Sequence, residues 1–303
     1  MPSLSAPAKL NLFLHITGQR PDGYHELQTV FQLLDYGDTL HFTPRQDAEL
    51  HFSCTDPNLQ GTDNLVVRAA RLLQNLAPGP AGCDIRLEKR LPAAAGLGGG
   101  SSDAATTLLA LNQLWRCGLD RQTLMRLGTQ LGADVPVFVA GHSAWAEGIG
   151  ERLQPLCLPE RWYLVLTPLC EVTTGEIFSH PELTRHSAPI RIPAFPFSGT
   201  RNDCEPVACL LHPEITQALD WLRQHAVEPG TASQEAVARM SGTGASVFAV
   251  FEEEASARTL LDMICTGRSA GGATVLPGCP PLRSAFVARG IDRSPLYREL
   301  GIL

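Results

Sequence analysis

The chain has no apolar run near the ~18–20 residues that a membrane-crossing helix needs. It has no excess of positive charge: 24 Lys and Arg face 31 Asp and Glu, for a net charge of −7. A nucleic acid or an anionic membrane is therefore not an expected partner. An anionic small molecule needs a local positive site, because the global field opposes it. The nine cysteines contain no C-x-x-C, and the closest two, Cys204 and Cys209, are too far apart for one. That excludes a zinc framework or disulfide scaffold of the usual spacing. Reduced thiols in a cytoplasm fit best. The run from Leu10 to Ile16 is interrupted by Asn11 and His15, and no small-residue cleavage site follows, so no signal peptide is expected. No internal repeat and no regular βαβ rhythm is visible.

What is present is an ordinary globular composition. Hydrophobic residues make up 44% and charged residues 18% of 303 positions, enough for a sizeable core. The length implies about two domains or one large one. Residues 7–16, PAKLNLFLHI, alternate: Lys9, Asn11, Phe13 and His15 share one face of a strand, Leu10, Leu12, Leu14 and Ile16 the other. A turn-rich loop carries Gly18, Pro21 and Gly23, and strands are expected over 29–42 and 48–53. A helix over 63–76 starts at Asp63 as cap. Residues 83–91 read as strand. Helices are expected over 120–131, 213–225, 234–240 and 252–266. LGADVPVFVAG reads as a loop into a buried strand, with HSAWAEGIGERL as its hairpin partner. Further strands are expected at 161–168, after the glycine turn at 241–246, and at the C-terminal SAFVARGI. Strands and helices mix irregularly, so the fold class is α+β. The expected division is 1–157 and 158–303. The sequence assigns no oligomeric state.

Residues 91–115, LPAAAGLGGGSSDAATTLLALNQLW, run from a glycine loop straight into a helix whose Ala104, Leu108, Leu111 and Trp115 share a face. Glycine amides can approach a ligand closely. The first amides of a helix lack internal partners, and the helix dipole adds positive charge there. The pattern is an anion site, with phosphate the usual guest. Ser101 and Ser102 can add hydroxyls to phosphate oxygens or to a metal ion. A Walker A motif would need a lysine that this loop lacks. A dinucleotide fingerprint fails because position 101 is serine, which also argues against a dehydrogenase. A flexible turn capped by serine is the plainer alternative, but six residues GLGGGS before a helix favour phosphate.

P-x(3)-GLGGGSSDAA resembles the second motif of the GHMP kinases, and SGTGASVF resembles their third. PAKLNLFLHI, RPDGYHEL, GADVPVFVAG, RNDCEPVA and FVARGIDRSPL resemble one branch of that family, which acts on a cytidine diphosphate-linked polyol of the non-mevalonate isoprenoid pathway. These matches keep order and spacing from about residue 5 to residue 297. The galactokinase signature is absent. The resemblance implies two α+β domains with the site in the cleft between them. It implies ATP and Mg²⁺ as cofactors, and a phosphoryl transfer to an alcohol.

The resemblance carries roles onto particular residues. Pro92, Ala93, Ala94, Ala95, Gly96, Leu97, Gly98, Gly99, Gly100, Ser101 and Ser102 hold the nucleotide, and Ser102 is the candidate Mg²⁺ contact. Lys9 and Asp134 handle the hydroxyl proton: the cation makes the substrate hydroxyl easier to deprotonate. On their own, Asp134 reads equally as a turn or cap aspartate and Lys9 as a strand-edge lysine reaching for solvent. Tyr24 and Phe178 stack on the cytosine and His25 reads its polar edge, since aromatic faces take any base and imidazole both donates and accepts. Without the resemblance these read as a polar loop and a core aromatic. Phe31 and Thr174 match positions near the substrate. Asn11 either contacts the polyol or orients Lys9. The family commonly carries glycine where this chain has Ala94 and Ala95. Alanine disfavours positive φ, so the start of the loop is expected to stay in ordinary backbone regions. Residues 267–281 look like a surface insertion. The rivals are a homoserine- or mevalonate-type kinase, which gives Tyr24 and His25 nothing to stack on, and a catalytically silent nucleotide-binding regulator.

Overall fold

The computed structural model describes residues 3–192, 199–226, 238–266 and 279–302. Its axis is two long strands. β1 (Leu4–Gln19) and β2 (His25–Arg45) pair antiparallel around the tight turn at 20–24. The far part of β2 also pairs with β4 (Gly82–Glu88), which carries β3 (Leu50–Cys54) parallel at its edge. The near part of β2 pairs with β5 (Ala144–Gly148), which turns back into β6 (Arg152–Pro155). In the second half β10 (Leu282–Ile291), β7 (Trp162–Pro168), β9 (Val247–Phe251) and β8 (Arg239–Met240) follow in that spatial order, all antiparallel. Gly290 and Ile291 pair with Leu34 and Leu33 and join the two halves.

Helices α1 (Leu65–Gln74), α2 (Gly99–Leu114), α3 (Arg121–Leu131) and α4 (Val135–Ala140) cover the first half. Helices α5 (Thr174–Ser179), α6 (Glu205–Leu211), α7 (Pro213–His225) and α8 (Glu254–Thr266) belong to the second. The last, α9 (Leu296–Glu299), returns to the first half: Leu296, Tyr297 and Leu300 share a core with residues of α2 and α4. Ser5 donates both its N–H and its hydroxyl to the Glu299 carboxylate, each at 2.7 Å. None of the described helices is long and apolar enough to cross a membrane.

The mixed α+β class stands. Several expected details do not. The alternation of β1 breaks at a register shift between Asn11 and Leu14. Phe13 therefore packs with Ala8, Leu10 and Leu12 beneath Tyr163 and Phe248, while Leu14 and Ile16 join the core of the second half. The buried run Val135–Ala140 is α4, not a strand. A short apolar run carries no period that tells helix from strand. Pro136 sits in its first turn, where a missing N–H costs nothing. The hairpin thus lies wholly within 144–155, between β5 and β6. The cap of α1 is Asn64, whose side chain accepts from the Val66 N–H, rather than Asp63. Helix α2 is not one-sided: every residue from Ser102 to Leu111 is buried. Of the helix expected over 234–240, Arg239 and Met240 are strand β8 and 234–237 lie outside the described residues. So does 267–278, most of the expected insertion.

Candidate active site

A cleft of about 910 Å³ runs between the glycine loop, the start of β2 and α5. Its lining includes every residue expected in the site except Ser102.

At one end lies the glycine loop. Gly96 and Gly98 have φ of 74° and 70°, the left-handed region that glycine enters without strain. A Cβ on Gly96 would stand 2.2 Å from the Ser241 carbonyl oxygen, and one on Gly98 2.8 Å from the Phe138 ring. The first turn of α2 closes with Ser102 N–H donating to the Gly98 carbonyl at 2.9 Å. The amides of Gly99, Gly100 and Ser101 therefore have no partner inside the helix. All three residues line the cleft, at the positive end of a 16-residue helix. The second glycine turn clasps this loop. Ser241 donates its hydroxyl to the Gly96 carbonyl at 2.8 Å, and Ser246 N–H donates to Ala95 at 3.1 Å. Asn202 secures that turn through the carbonyls of Met240 and Gly242.

The expected ordinary backbone at the start of the loop is not found. Ala94 has φ of 51°. A left-handed alanine costs roughly 1–2 kcal/mol. It is held from both sides: Arg283 donates to the Ala93 carbonyl at 3.0 Å and Ser246 to that of Ala95.

Ser102 is buried, and its hydroxyl has no hydrogen-bond partner among the described residues. It lies beneath the helix start, outside the cleft lining, and does not fit as a metal ligand there. Ser101 faces the cleft instead. A buried charge cluster braces the same helix start. Lys89 Nζ lies 2.5 Å from Asp38 and 3.0 Å from Asp103. Asp38 also accepts the N–H groups of Arg90 and Leu91, fixing the approach to the loop. Burial pushes the Asp103 carboxyl above the usual carboxylate range, against the pull of Lys89.

In the middle stand Lys9 and Asp134. Lys9 Nζ is 3.2 Å from Asp134 Oδ2, 2.6 Å from Asn11 Oδ1 and 3.1 Å from the Gly96 carbonyl oxygen. Its ammonium lies 5.4 Å from the centroid of the Phe31 ring. Lys9 is buried, whereas the Asp134 side chain is 34% exposed, toward the cleft. Asp134 occupies the cap position of α4 but its side chain makes no cap bond, so the carboxylate is left for other work. Asn11 donates its amide to Thr29 Oγ1 at 3.0 Å, which aims its oxygen at Lys9. Of the two uses expected for Asn11, this geometry is that of orienting Lys9.

At the far end are Tyr24, His25 and Phe178. Tyr24 is 59% exposed, and His25 is buried. Phe178 stacks on the His25 ring at 4.9 Å between centroids. Arg185, which sequence reasoning missed, donates its Nε–H to His25 Nε2 at 3.2 Å. An arginine cannot accept, so Nε2 is the acceptor and the neutral ring carries its proton on Nδ1. Burial first, then the Arg185 charge, lowers the His25 pKa. The guanidinium is held by the carbonyls of Phe178, His180 and Leu183. Arg185 lies in an irregular loop with no periodicity to flag it. Ser241 opens the motif SGTGASVF, but only the fold reveals which residue its hydroxyl grips. Thr174, at the start of α5, meets Thr243 of the second glycine turn at 3.3 Å between hydroxyls.

The arrangement can seat a chain of phosphates at one end, a flat aromatic group at the other, and a hydroxyl beside a carboxylate–ammonium pair between them.

Residues 64–142 match the GHMP kinases N terminal domain, and residues 197–267 match GHMP kinases C terminal. The chain is 49% identical over 295 residues to the 4-diphosphocytidyl-2-C-methyl-D-erythritol kinase of Nitrosospira multiformis, covering 97% of this chain and 93% of that one. A crystal structure of 4-(cytidine 5'-diphospho)-2C-methyl-D-erythritol kinase superposes with a TM-score of 0.74 at 34% identity, over 95% of this chain and 99% of that one. A mevalonate kinase structure shares the fold at a TM-score of 0.63 and 14% identity, over 97% of this chain and 100% of that one.

Proposed function

This chain belongs to the GHMP kinase family, and from that premise we propose that it phosphorylates the 2-hydroxyl of 4-diphosphocytidyl-2-C-methyl-D-erythritol with ATP. The products are the 2-phosphate and ADP. The observation that carries this reading is the cleft's three-part order: free helix amides, the 3.2 Å Lys9–Asp134 pair, then the Tyr24–His25–Phe178 cluster.

Phosphoryl transfer needs positioning and charge compensation more than covalent help. The amides at 99–101 and the helix dipole hold the triphosphate oxygens. The terminal phosphoryl group then faces the middle of the cleft. Asp134 accepts or orients the hydroxyl proton. Lys9 fixes Asp134 in place and offers positive charge to the oxygen as its proton leaves. Asn11, Phe31 and the Gly96 carbonyl confine Lys9 to that position. Mg²⁺ bound to the nucleotide would offset charge on its phosphates, and Ser102, buried beneath the helix start, does not fit as its ligand.

The cytosine lies against Tyr24 and Phe178. His25 donates its Nδ1–H to an acceptor on the base edge, a tautomer that Arg185 enforces. Thr174 closes the substrate side through Thr243. A mevalonate or homoserine substrate would leave this end of the cleft unused. In the same reading the enzyme works in the cytoplasm, and the chain divides at 157/158 into a domain carrying the phosphate loop and one closing over it.

The test is direct. The protein is incubated with ATP, Mg²⁺ and the cytidyl substrate, and new phosphomonoester is followed by phosphorus NMR, with mevalonate and homoserine in parallel. Phosphorylation of the cytidyl substrate alone is expected. Turnover of either rival in its place, or of none, overturns the reading.

A further inference from the structure

Behind the α5 wall of the cleft, three donor groups converge. Cys170 follows β7, His212 joins α6 to α7, and Glu214 lies in the first turn of α7. One ligand atom from each (a thiol sulfur, a ring nitrogen, a carboxylate oxygen) lies within 4.8 Å of the other two, and all three residues are partly buried. Among the described residues, the Cys170 thiol and the Glu214 carboxylate make no hydrogen bond and no ion pair. The nearby Arg283 guanidinium is turned to main chain and to Glu171: it donates to the carbonyls of Cys170 and Ala93. His212 is held in orientation by Glu176, with 3.1 Å between Nε2 and Oε1. A carboxylate that fixes an imidazole is a common companion of metal-binding histidines.

We propose that Cys170, His212 and Glu214 form a binding site for a borderline-soft divalent cation of the Zn²⁺ class. Three protein ligands of S, N and O type leave a fourth tetrahedral place for water. Mg²⁺ prefers oxygen ligands, so this site is chemically separate from the nucleotide's cation. Binding forms a metal–sulfur bond and releases the thiol proton to solvent, so one proton leaves per cation bound. Glu176 also caps α5, the helix that carries Thr174 and Phe178. His212 is thereby tied to the helix on the cleft wall through Glu176. The site itself does not depend on the substrate assignment.

The test uses the full chain, stripped with a chelator and titrated with Co²⁺ under an absorption spectrometer. One equivalent is expected to give a thiolate-to-cobalt charge-transfer band with tetrahedral d–d intensity, displaced by Zn²⁺. Cys170→Ser should lose the band, with its thermal melt unchanged. A Cys157→Ser/Cys265→Ser double variant, which removes the two exposed thiols, should keep it. Glu214→Gln should weaken Zn²⁺ binding in calorimetry by at least about tenfold, the low end of what even outer-shell losses cost. No band in the parent protein, or a band that persists in Cys170→Ser, overturns the proposal.

Discussion

The glycine loop and the Tyr24–His25–Phe178 cluster close one cleft from opposite ends and are held in opposite ways. The loop presents main-chain amides, and its side chains matter by being absent: a Cβ on Gly96 or Gly98 would meet a neighbour below 3.0 Å. Buried polar groups brace it from behind, with Ser241 and Lys9 on one side and Asp38, Lys89 and Asp103 on the other. The end proposed for the base presents side chains from a turn and a short helix, and Tyr24 lies largely in solvent. The lesson concerns tolerance. Substitution at the phosphate end should disturb the backbone, and substitution at the base end should disturb only affinity.

The sharpest test lies where the ends meet. Asp134→Asn removes the carboxylate charge beside Lys9 but leaves both ends intact. Turnover should fall by about 10²–10⁴-fold, while ATP and cytidyl substrate still bind in calorimetry. Undiminished turnover would refute the role. Next, Gly98→Ala forces a side chain into a left-handed position against Phe138, at about 1–3 kcal/mol of strain. ATP affinity should drop by the corresponding factor and substrate affinity should hold. The mirror experiment is Phe178→Ala or Tyr24→Ala. Each should weaken the cytidyl substrate by about 1–3 kcal/mol and leave ATP binding alone. A variant at either end that moved both affinities equally would break the comparison.

Smaller effects sharpen it. His25 has a lowered pKa, set by burial and then by Arg185. As pH falls below 6.5 the unfolded chain takes its proton before the folded one does. The stability contributed by the neutral ring is complete above 6.5 and is lost as pH falls through the lowered folded value. KM for the cytidyl substrate should accordingly stay flat from pH 8 to 6.5 and rise only below the folded value. Arg185→Met should move that rise to higher pH, followed in parallel by the His25 resonance in NMR; an unmoved rise would refute the role of Arg185. The smallest effect is expected at Ala94→Gly. Relief of roughly 1–2 kcal/mol of left-handed strain, less the roughly 0.5–1 kcal/mol entropic cost of glycine, should stabilise the fold by about 0.5–1 kcal/mol in denaturant melts.

The two ends also differed in how far the sequence disclosed them. The glycine run and SGTGASVF announce a phosphate loop, because the physical requirement falls on residue type at fixed spacing. Lys9 stood out by its place in an apolar strand. Asp134 stands at the start of α4 rather than of a strand, because Val135–Ala140 is too short for helix and strand periods to diverge. Ser102 is buried and Ser101 lines the cleft, and the sequence does not say which of two adjacent serines turns inward at a helix start. Arg185 left no trace at all. Its contacts span 160 positions to His25, and an irregular loop has no period to reveal them. Ala94 shows the reverse limit. A local preference against positive φ was outweighed by hydrogen bonds to the carbonyls on either side, which only the assembled fold supplies.

Helix α9 carries a consequence for how the molecule is made. Leu296, Tyr297 and Leu300 complete a core whose other members lie between Leu4 and Leu153, with Ile291 beside them. A ribosome delivers those three after every other member of that core. The half that emerges first has its core completed only once the second half has been made, so translation order and assembly order are uncoupled in this protein.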